Sequence, residues 1–257
     1  MMIRYIPADP AGNLTAIVLS PIAAQDRAKI AAEMMARCPE GFEQVGFADE
    51  ASLTGDLPTL CMMGGEFCGN ATRAFACYAA KVRGRGETRL AVSVSGAREP
   101  VPVAVDLRQN RAYAQMPLPY ALEWISVNKQ KIPLVRMEGI DHALLLDAAP
   151  SPEAAERVLA AMPKQDARGV LFVQGGKMTP LVEVAATGTR VWESSCGSGT
   201  VALAWYLAQN LADGMHAFAF DEPGGQLEAR VAMRAGRAAQ IEMGGAVKLG
   251  KEAEIEL

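Results

Sequence analysis

The sequence predicts an α+β fold of two similar lobes, each a mostly antiparallel sheet around a central helix. Short strand-like runs outnumber helical ones, and half of the residues are hydrophobic while 21% are charged, as in globular proteins. One short motif also occurs twice in the 257 residues. At about 100–200 residues per domain, we expect one lobe over residues 1–118 and another over 119–257, with the last strand free to return to the first lobe.

The individual elements follow from local patterns. Alternating or β-branched runs bounded by Gly, Pro and Asp predict strands at 15–19, 89–94, 101–107, 111–116, 169–173, 181–184, 227–233 and 238–243. Apolar residues at helical spacing predict helices at 24–37, 70–82, 152–161 and 199–212. The Pro-rich, polar stretch 117–133 is typical of a linker.

The repeated motif is a Cys-Gly pair followed by a threonine. Residues 68–72 read CGNAT and residues 196–200 read CGSGT, 128 positions apart, and the similarity continues into an Ala-rich helix. An acidic residue precedes each cysteine, Glu66 in the first half and Glu193 in the second. The two halves are therefore predicted to be a pseudo-duplication, each with a Cys-Gly pair at a helix start.

Two cysteines at helix starts suit acid–base chemistry. The N–H groups of a helix N-terminus favour a thiolate, and such placement can lower a cysteine pKa from about 8.5 to roughly 3.5–7.5. They also bind carboxylates, and Gly69 and Gly197 leave the backbone open to a substrate. Inverting a stereocentre beside a carboxylate requires a base on one face and an acid on the other. Cys68 and Cys196 are the predicted catalytic pair.

Composition argues against other classes of protein. The net charge of −4 provides no basic face for nucleic acid, and no run of about 18 apolar residues predicts a membrane span. The first residues lack the apolar core of a signal peptide, so a cytoplasmic protein is expected. Five cysteines and two histidines show no disulfide or metal-site spacing, and Cys38, Cys61 and Cys77 are interpreted as packing residues.

The motifs carry a family resemblance. The segments GGEFCGNATRA and WESSCGSGTVALA resemble the two catalytic motifs of the diaminopimelate epimerase fold, a group of cofactor-independent two-cysteine racemases and epimerases. The resemblance spans essentially the whole chain. It implies two lobes with the site in the cleft between them, an amino-acid substrate, and no cofactor or metal. It is also consistent with a homodimer.

Departures from that family point to one branch of it. The segments that hold the second amino-acid group of diaminopimelate are replaced here, at residues 13–15, 60–65 and 187–193. The replacements, together with EQVGF at 43–47, resemble histidine racemases of staphylopine-type opine-metallophore biosynthesis. The resemblance therefore implies an isomerase that interconverts L- and D-histidine.

The resemblance also assigns roles to particular residues. Cys68 and Cys196 would be the two bases, and the residues holding the α-amino acid would be Asn13, Asn70 and Ser198 with the N–H groups of Gly69 and Gly197. Glu43 and Glu193 would accept hydrogen bonds from the imidazole. His142 receives no role.

Two alternatives stay open at this point. The first is a diaminopimelate epimerase with an altered distal pocket. The second belongs to another class, a thiol redox or small-ligand-binding protein that uses the same two cysteines. Exchange of a substrate's α-proton with solvent deuterium separates a racemase from the second alternative, because a redox or binding protein does not catalyse that exchange.

Overall fold

The computed structural model describes residues 1–185 and 188–257, so Thr187 of the segment 187–193 lies outside the described residues. In chain order, the α-helices are α1 (Arg27–Arg37), α2 (Gly69–Val82), α3 (Pro152–Ala161) and α4 (Gly197–Ala208). The strands are β1 (Met2–Asp9), β2 (Thr15–Val18), β3 (Gln44–Asp49), β4 (Thr59–Met62), β5 (Glu87–Val94), β6 (Val101–Asp106), β7 (Arg111–Gln115), β8 (Ala121–Val127), β9 (Gln130–Arg136), β10 (Ile140–Leu146), β11 (Ala167–Gln174), β12 (Lys177–Val184), β13 (Thr189–Trp192), β14 (Gly214–Glu222), β15 (Gly225–Arg234), β16 (Arg237–Ala246), β17 (Lys248–Leu249) and β18 (Ala253–Glu256). No helix within these described ranges has the length and apolar character needed to cross a membrane.

The chain divides into two compact units. The first contains residues 1–115 and 244–257, and the second contains residues 116–243. In the first unit α1 connects the parallel strands β2 and β3, and α2 connects the parallel strands β4 and β5. In the second unit α3 connects the parallel pair β10 and β11, and α4 precedes β14, which runs parallel to β12. The order of elements is therefore repeated, with each Cys-Gly motif opening the second helix of its unit.

In the first unit a sheet is covered by α1 on one face and α2 on the other. The strand β2 (TAIV) is buried along its whole length, since Ala16 and Val18 face α1 while Ile17 faces α2. A continuous apolar strand is what a sheet buried on both faces requires. Ile30 and Met34 of α1 complete the smaller of the two cores.

Helix α2 is the central helix of the first unit. Every residue from Gly69 to Ala80 is buried, and Phe75 lies at the centre of the larger core. The alanines of the helix leave room for strands to pack closely around it. The first turn of α2 is thereby held in place by the core, and that turn follows directly on Cys68.

The second unit is built in the same way. Helix α3 is capped by Ser151, whose hydroxyl accepts the Ala154 N–H at 3.2 Å, and Pro152 is the first residue of the helix. Both features are typical of helix N-termini. Helix α4 follows Cys196 and buries residues 199–204 and 208. Gly199 allows the close packing, because a Cβ there would lie 2.9 Å from Leu171 Cδ2.

The structure contains the predicted helices and strands but not the predicted linker. The helices expected at 24–37, 70–82 and 152–161 are present within a few residues, as are the eight expected strands. The prediction of a linker at 117–133 is wrong, because β8 and β9 form an antiparallel hairpin there. The hairpin turns at Asn128 and Lys129, which both have positive φ. The helix expected at 199–212 occupies 197–208 and then tightens into a turn, with the Leu211 N–H bonded to the Ala208 carbonyl.

Candidate active site

Cys68 is the residue immediately before α2. Its backbone is extended, and its Sγ accepts the Ala71 N–H at 3.4 Å, which is the position of a helix N-cap. The Thr72 hydroxyl donates to the Cys68 carbonyl at 2.7 Å. The spacing of cysteine and threonine that the two motifs share therefore has a local cause, since the threonine locks the first turn onto the cysteine.

The environment of the Cys68 thiol contains opposing influences. Partial burial raises its pKa, while hydrogen bonds from the Ala71 N–H, the Gln44 side chain and the Asn70 N–H lower it. The nearby Glu66 carboxylate raises it again. The net direction is upward, which corrects the expectation that the helix N-terminus would lower this pKa. Desolvation of the thiolate exceeds the stabilisation by the N–H donors.

Polar side chains form a network beside Cys68. The Gln44 amide donates to Asn13 Oδ1 at 2.5 Å and to Thr15 Oγ1 at 2.7 Å. Asn13 Nδ2 donates to Glu43 Oε2 at 2.9 Å, and Asn70 Nδ2 lies 3.5 Å from Asn13 Oδ1. Three predicted substrate-binding residues of the first unit are therefore brought together, and they share a network with the buried Gln44.

Cys196 occupies the corresponding position before α4 but has different neighbours. Its N–H donates to Glu222 Oε2 at 2.6 Å, and Glu222 Oε1 accepts the Thr200 hydroxyl at 2.6 Å. The Thr200 hydroxyl also lies 3.0 Å from the Cys196 carbonyl, as in the first motif. A buried carboxylate thus occupies the N-terminus of α4, where a negative charge is favoured by the helix dipole.

The Cys196 thiol is buried and lies among acceptors. Burial raises its pKa well above the usual range, and the charges of Glu193 and Glu222 raise it further. A hydrogen bond with Ser198 opposes this shift, and one with Glu193 adds to it. Ser198 Oγ lies 3.5 Å from Cys196 Sγ and 2.9 Å from His142 Nε2. Carboxylates beside the sulfur favour the thiol form.

Comparison with known proteins identifies the family. The family model described as the histidine racemase CntK N-terminal domain matches residues 2–255. The chain belongs to this histidine racemase family. A histidine racemase of Fusobacterium nucleatum subsp. nucleatum is 32% identical over 221 residues, which cover 80% of this chain and 81% of that protein. The predicted relationship to histidine racemases and the predicted isomerase class are confirmed.

Solved structures of other proteins share the fold of this chain. A phenazine biosynthesis protein of the PhzF family from Enterococcus faecalis superimposes with a TM-score of 0.67 at 16% identity, and all of both chains is covered. A hydroxyproline epimerase from Agrobacterium vitis superimposes with a TM-score of 0.63 at 13% identity, covering 99% of this chain and 92% of that one. The predicted α+β class is confirmed at that level.

Each unit gathers a subset of the predicted residues. Asn13, Glu43, Gly69 and Asn70 lie around Cys68, and Glu193, Gly197 and Ser198 lie around Cys196. The predicted roles of these residues stay predictions.

The sequence assigned no role to several neighbours of the two cysteines. Glu222 caps the N-terminus of α4, Arg73 donates a hydrogen bond to Asn70 in α2, and His142 contacts Ser198. Arg73 could have been found from its place in the first motif, since a charged residue on the buried face of an Ala-rich helix is unusual. Glu222 and His142 lie far from Cys196 in sequence, so no spacing connects either residue with that cysteine.

His142 is a buried histidine kept neutral by the fold. The ring is completely buried, and desolvation lowers its pKa to about 3. Its neighbour across the parallel strands is Gly169, where a Cβ would lie 2.1 Å from Nδ1. The strand-paired glycine therefore provides the space that the imidazole occupies.

This burial predicts an acid-sensitive fold. Because the folded pKa lies below the unfolded value of about 6.5, the unfolded chain binds more protons between these values, and stability falls as pH decreases from 6.5 towards 3. Between pH 6.5 and 4.5 the expected loss is about 2 kcal/mol. Urea unfolding at a series of pH values should show that loss reduced in His142→Gln.

The matched control is His216→Gln, since His216 lies in the same unit and is partly exposed. This control should lose stability with acid as the wild-type protein does. An acid dependence in His142→Gln equal to that of the wild-type protein would contradict the assignment of a buried neutral imidazole.

Proposed function

We propose that the chain interconverts L- and D-histidine by a two-base reaction in which Cys68 and Cys196 act on opposite faces of one α-carbon. The observation that carries the proposal is that each cysteine immediately precedes the first residue of a helix. At Cys68 this position places the Ala71 N–H on the sulfur, whereas the Cys196 side chain accepts no such capping bond. The proposal requires both motifs to serve one substrate, as in the interlobe cleft of the diaminopimelate epimerase type that the sequence predicts.

The reaction needs one thiolate and one thiol. The thiolate removes the α-proton from one face, and the electron pair of the broken C–H bond is held as a carbanion conjugated with the α-carboxylate. The thiol then delivers its proton to the opposite face and becomes the thiolate. The charges of substrate and protein are unchanged at the end, and the roles of the two sulfurs have been exchanged, so the enzyme is ready for the reverse direction.

The two sulfurs are not equivalent before substrate binds. Cys68 Sγ accepts hydrogen bonds from N–H groups and is partly exposed, whereas Cys196 is buried beside Glu193 and Glu222. Donors stabilise a thiolate and carboxylates destabilise it. Cys68 is therefore the sulfur that ionises more readily, so we assign it as the thiolate and Cys196 as the thiol of the reactive resting form. Cys68 then removes the α-proton of one enantiomer, and Cys196 removes that of the other after the roles have been exchanged.

Carboxylates near the two motifs support a substrate that donates hydrogen bonds from its side chain. The exposed Glu43 carboxylate accepts from Asn13, which places it beside the Cys68 network. An imidazole N–H is a suitable donor for such an oxygen. Trp192 packs against Phe172 with ring centroids 5.7 Å apart and is still 40% exposed, so part of its indole is accessible to a flat ring.

The deciding experiment is solvent exchange. L-Histidine, L,L-diaminopimelate and L-alanine at equal concentration should be incubated with the enzyme in D₂O, and α-deuteration and D-isomer formation measured by NMR and chiral chromatography. We expect histidine to react fastest and each D-product to carry deuterium. Faster reaction of diaminopimelate would establish the altered-epimerase alternative. No exchange with any substrate, together with a reversible disulfide, would establish the thiol redox alternative.

A further inference from the structure

Arg73 is a fully buried cation in the first unit. It lies on α2, three residues after Asn70, and has no measurable exposure to solvent. Its guanidinium donates to the carbonyl oxygens of Pro10, Ala112 and Gly245 at 3.2–3.4 Å, and to Asn70 Oδ1 at 2.8 Å. The bond to Asn70 is the shortest of these contacts, and it is the one directed at a predicted substrate-binding residue.

The position of this cation is unfavourable for the helix alone. Side chains on a helix lean towards its N-terminus, and the contact with Asn70 shows that the guanidinium lies beside the first turn. A positive charge there opposes the positive end of the helix dipole, and burying an arginine requires its donors to be satisfied. An apolar side chain would fill the same space without these penalties, so a functional reason for the arginine is indicated.

The bond from Arg73 determines which way the Asn70 amide faces. An arginine can only donate, so the oxygen of Asn70 must point to Arg73 and its NH₂ group must point away. The same logic applies at the opposite end of the network, where the Glu43 carboxylate can only accept and so faces the NH₂ group of Asn13. Asn70 Nδ2 then points towards Asn13 Oδ1. The two charged ends impose the same direction on both amides.

We propose that Arg73 is a positioning residue that fixes the Asn70 amide with its NH₂ group towards the substrate, so that Asn70 meets a carboxylate rather than an ammonium group. Hydrogen bonds in a series polarise and strengthen one another. This series runs from the Arg73 cation through Asn70 and Asn13 to the Glu43 anion. The inference rests on the proposed function, because it names which group of the amino acid Asn70 receives.

A double-mutant cycle tests whether Arg73 acts through Asn70. Arg73→Lys keeps the charge but loses the planar fork of donors, and we expect KM for L-histidine to rise about tenfold or more while kcat changes less than about threefold. In an Asn70→Ala background, Arg73→Lys should change KM little further, because its contact is already gone. Equal effects of Arg73→Lys in both backgrounds would overturn the proposal.

Arg83 provides the matched control in the same unit. It follows α2, and its guanidinium donates to the backbone carbonyls of Leu53 and Gly55 without contacting this network. Arg83→Lys should lower the melting temperature and leave KM unchanged. If Arg73→Lys behaves in the same way, with a lower melting temperature and an unchanged KM, Arg73 only supports the fold and the proposal is wrong.

A substrate-free measurement keeps this inference separate from the proposed reaction. The side-chain ¹⁵N–¹H resonances of Asn13 and Asn70 should shift together in Arg73→Lys and remain in place in Arg83→Lys. Resonances unmoved by Arg73→Lys would overturn the orientation argument. An enzyme that fails to racemise histidine but shows the coupled shifts would remove the proposed function and retain the role of Arg73 in orienting Asn70.

Discussion

Replacing either Cys68 or Cys196 with serine is expected to reduce histidine racemisation by about 10²–10⁴-fold, because each sulfur carries the proton on one face. A serine hydroxyl is not ionised near neutral pH and is a weak acid compared with a thiol. Both variants should unfold at nearly the wild-type temperature, since the change conserves size. Turnover should be measured in both directions by chiral chromatography.

Cys61→Ser is the matched control, because Cys61 is also partly exposed and lies in the same unit as Cys68. It should retain normal activity. Near-normal racemisation by either active-site variant would eliminate the two-base scheme.

The same variants test the order of ionisation, since Cys196→Ser leaves Cys68 and Cys68→Ser leaves Cys196. Iodoacetamide should react with the remaining Cys68 at a lower pH than with the remaining Cys196. The reverse order would contradict the assignment of Cys68 as the sulfur that ionises more readily.

Gly96→Ala is expected to reduce kcat/KM roughly tenfold to a hundredfold without touching the site directly. A Cβ at Gly96 would lie 2.2 Å from the backbone nitrogen of Phe67, the residue before Cys68, and the glycine has φ +74°. Backbone cannot yield as a flexible side chain can, so the segment carrying the sulfur must move. Displacements of about 1 Å are sufficient for rate losses of this size. Steady-state kinetics and thermal unfolding measure the two consequences.

Gly84→Ala separates displacement from simple backbone strain. Gly84 also has positive φ, at +64°, but nothing lies within 4 Å of the position that a Cβ would take there. It should lose about 1–2 kcal/mol of stability from the left-handed conformation alone and keep its kinetic constants. If Gly96→Ala matches it in both stability and kcat/KM, then the close contact of Gly96 with Phe67 does not support the catalytic segment.

Local patterns were sufficient to predict the parts of the site that lie within one motif. Cys68 and Thr72 reveal a helix start because their bonds span only four residues. Several strands went unpredicted because their local signal is weak. The outer strand β8, for example, has no fully buried residue, and the turn that joins it to β9 is Asn128-Lys129 rather than the Asn-Gly or Asp-Gly pair that usually marks a hairpin.

The environment of each sulfur depends on residues that the chain brings from a distance. Burial raises the pKa of Cys196 against the effect expected of a helix N-terminus, and Glu222, which reaches Cys196 from 26 positions away, adds to that rise with its carboxylate. Gln44 reaches Cys68 from the strand β3. The sequence alone therefore leads to the prediction that these two sulfurs react, whereas their proton affinities depend on tertiary packing.

The first unit is built from two chain segments that are far apart in sequence, and this affects the order in which its strands can pair during synthesis. Its first strand, β1, pairs with β18, with Tyr5 opposite Ala253, although all of residues 116–243 lie between the two strands in sequence. β1 can pair with β2 early, but a ribosome releases residues in order, so its pairing with β18 must wait until the whole second unit has been synthesised. The unit that carries Cys196 lies within one continuous stretch of chain, whereas the unit that carries Cys68 can join its two segments only after that whole stretch has been made.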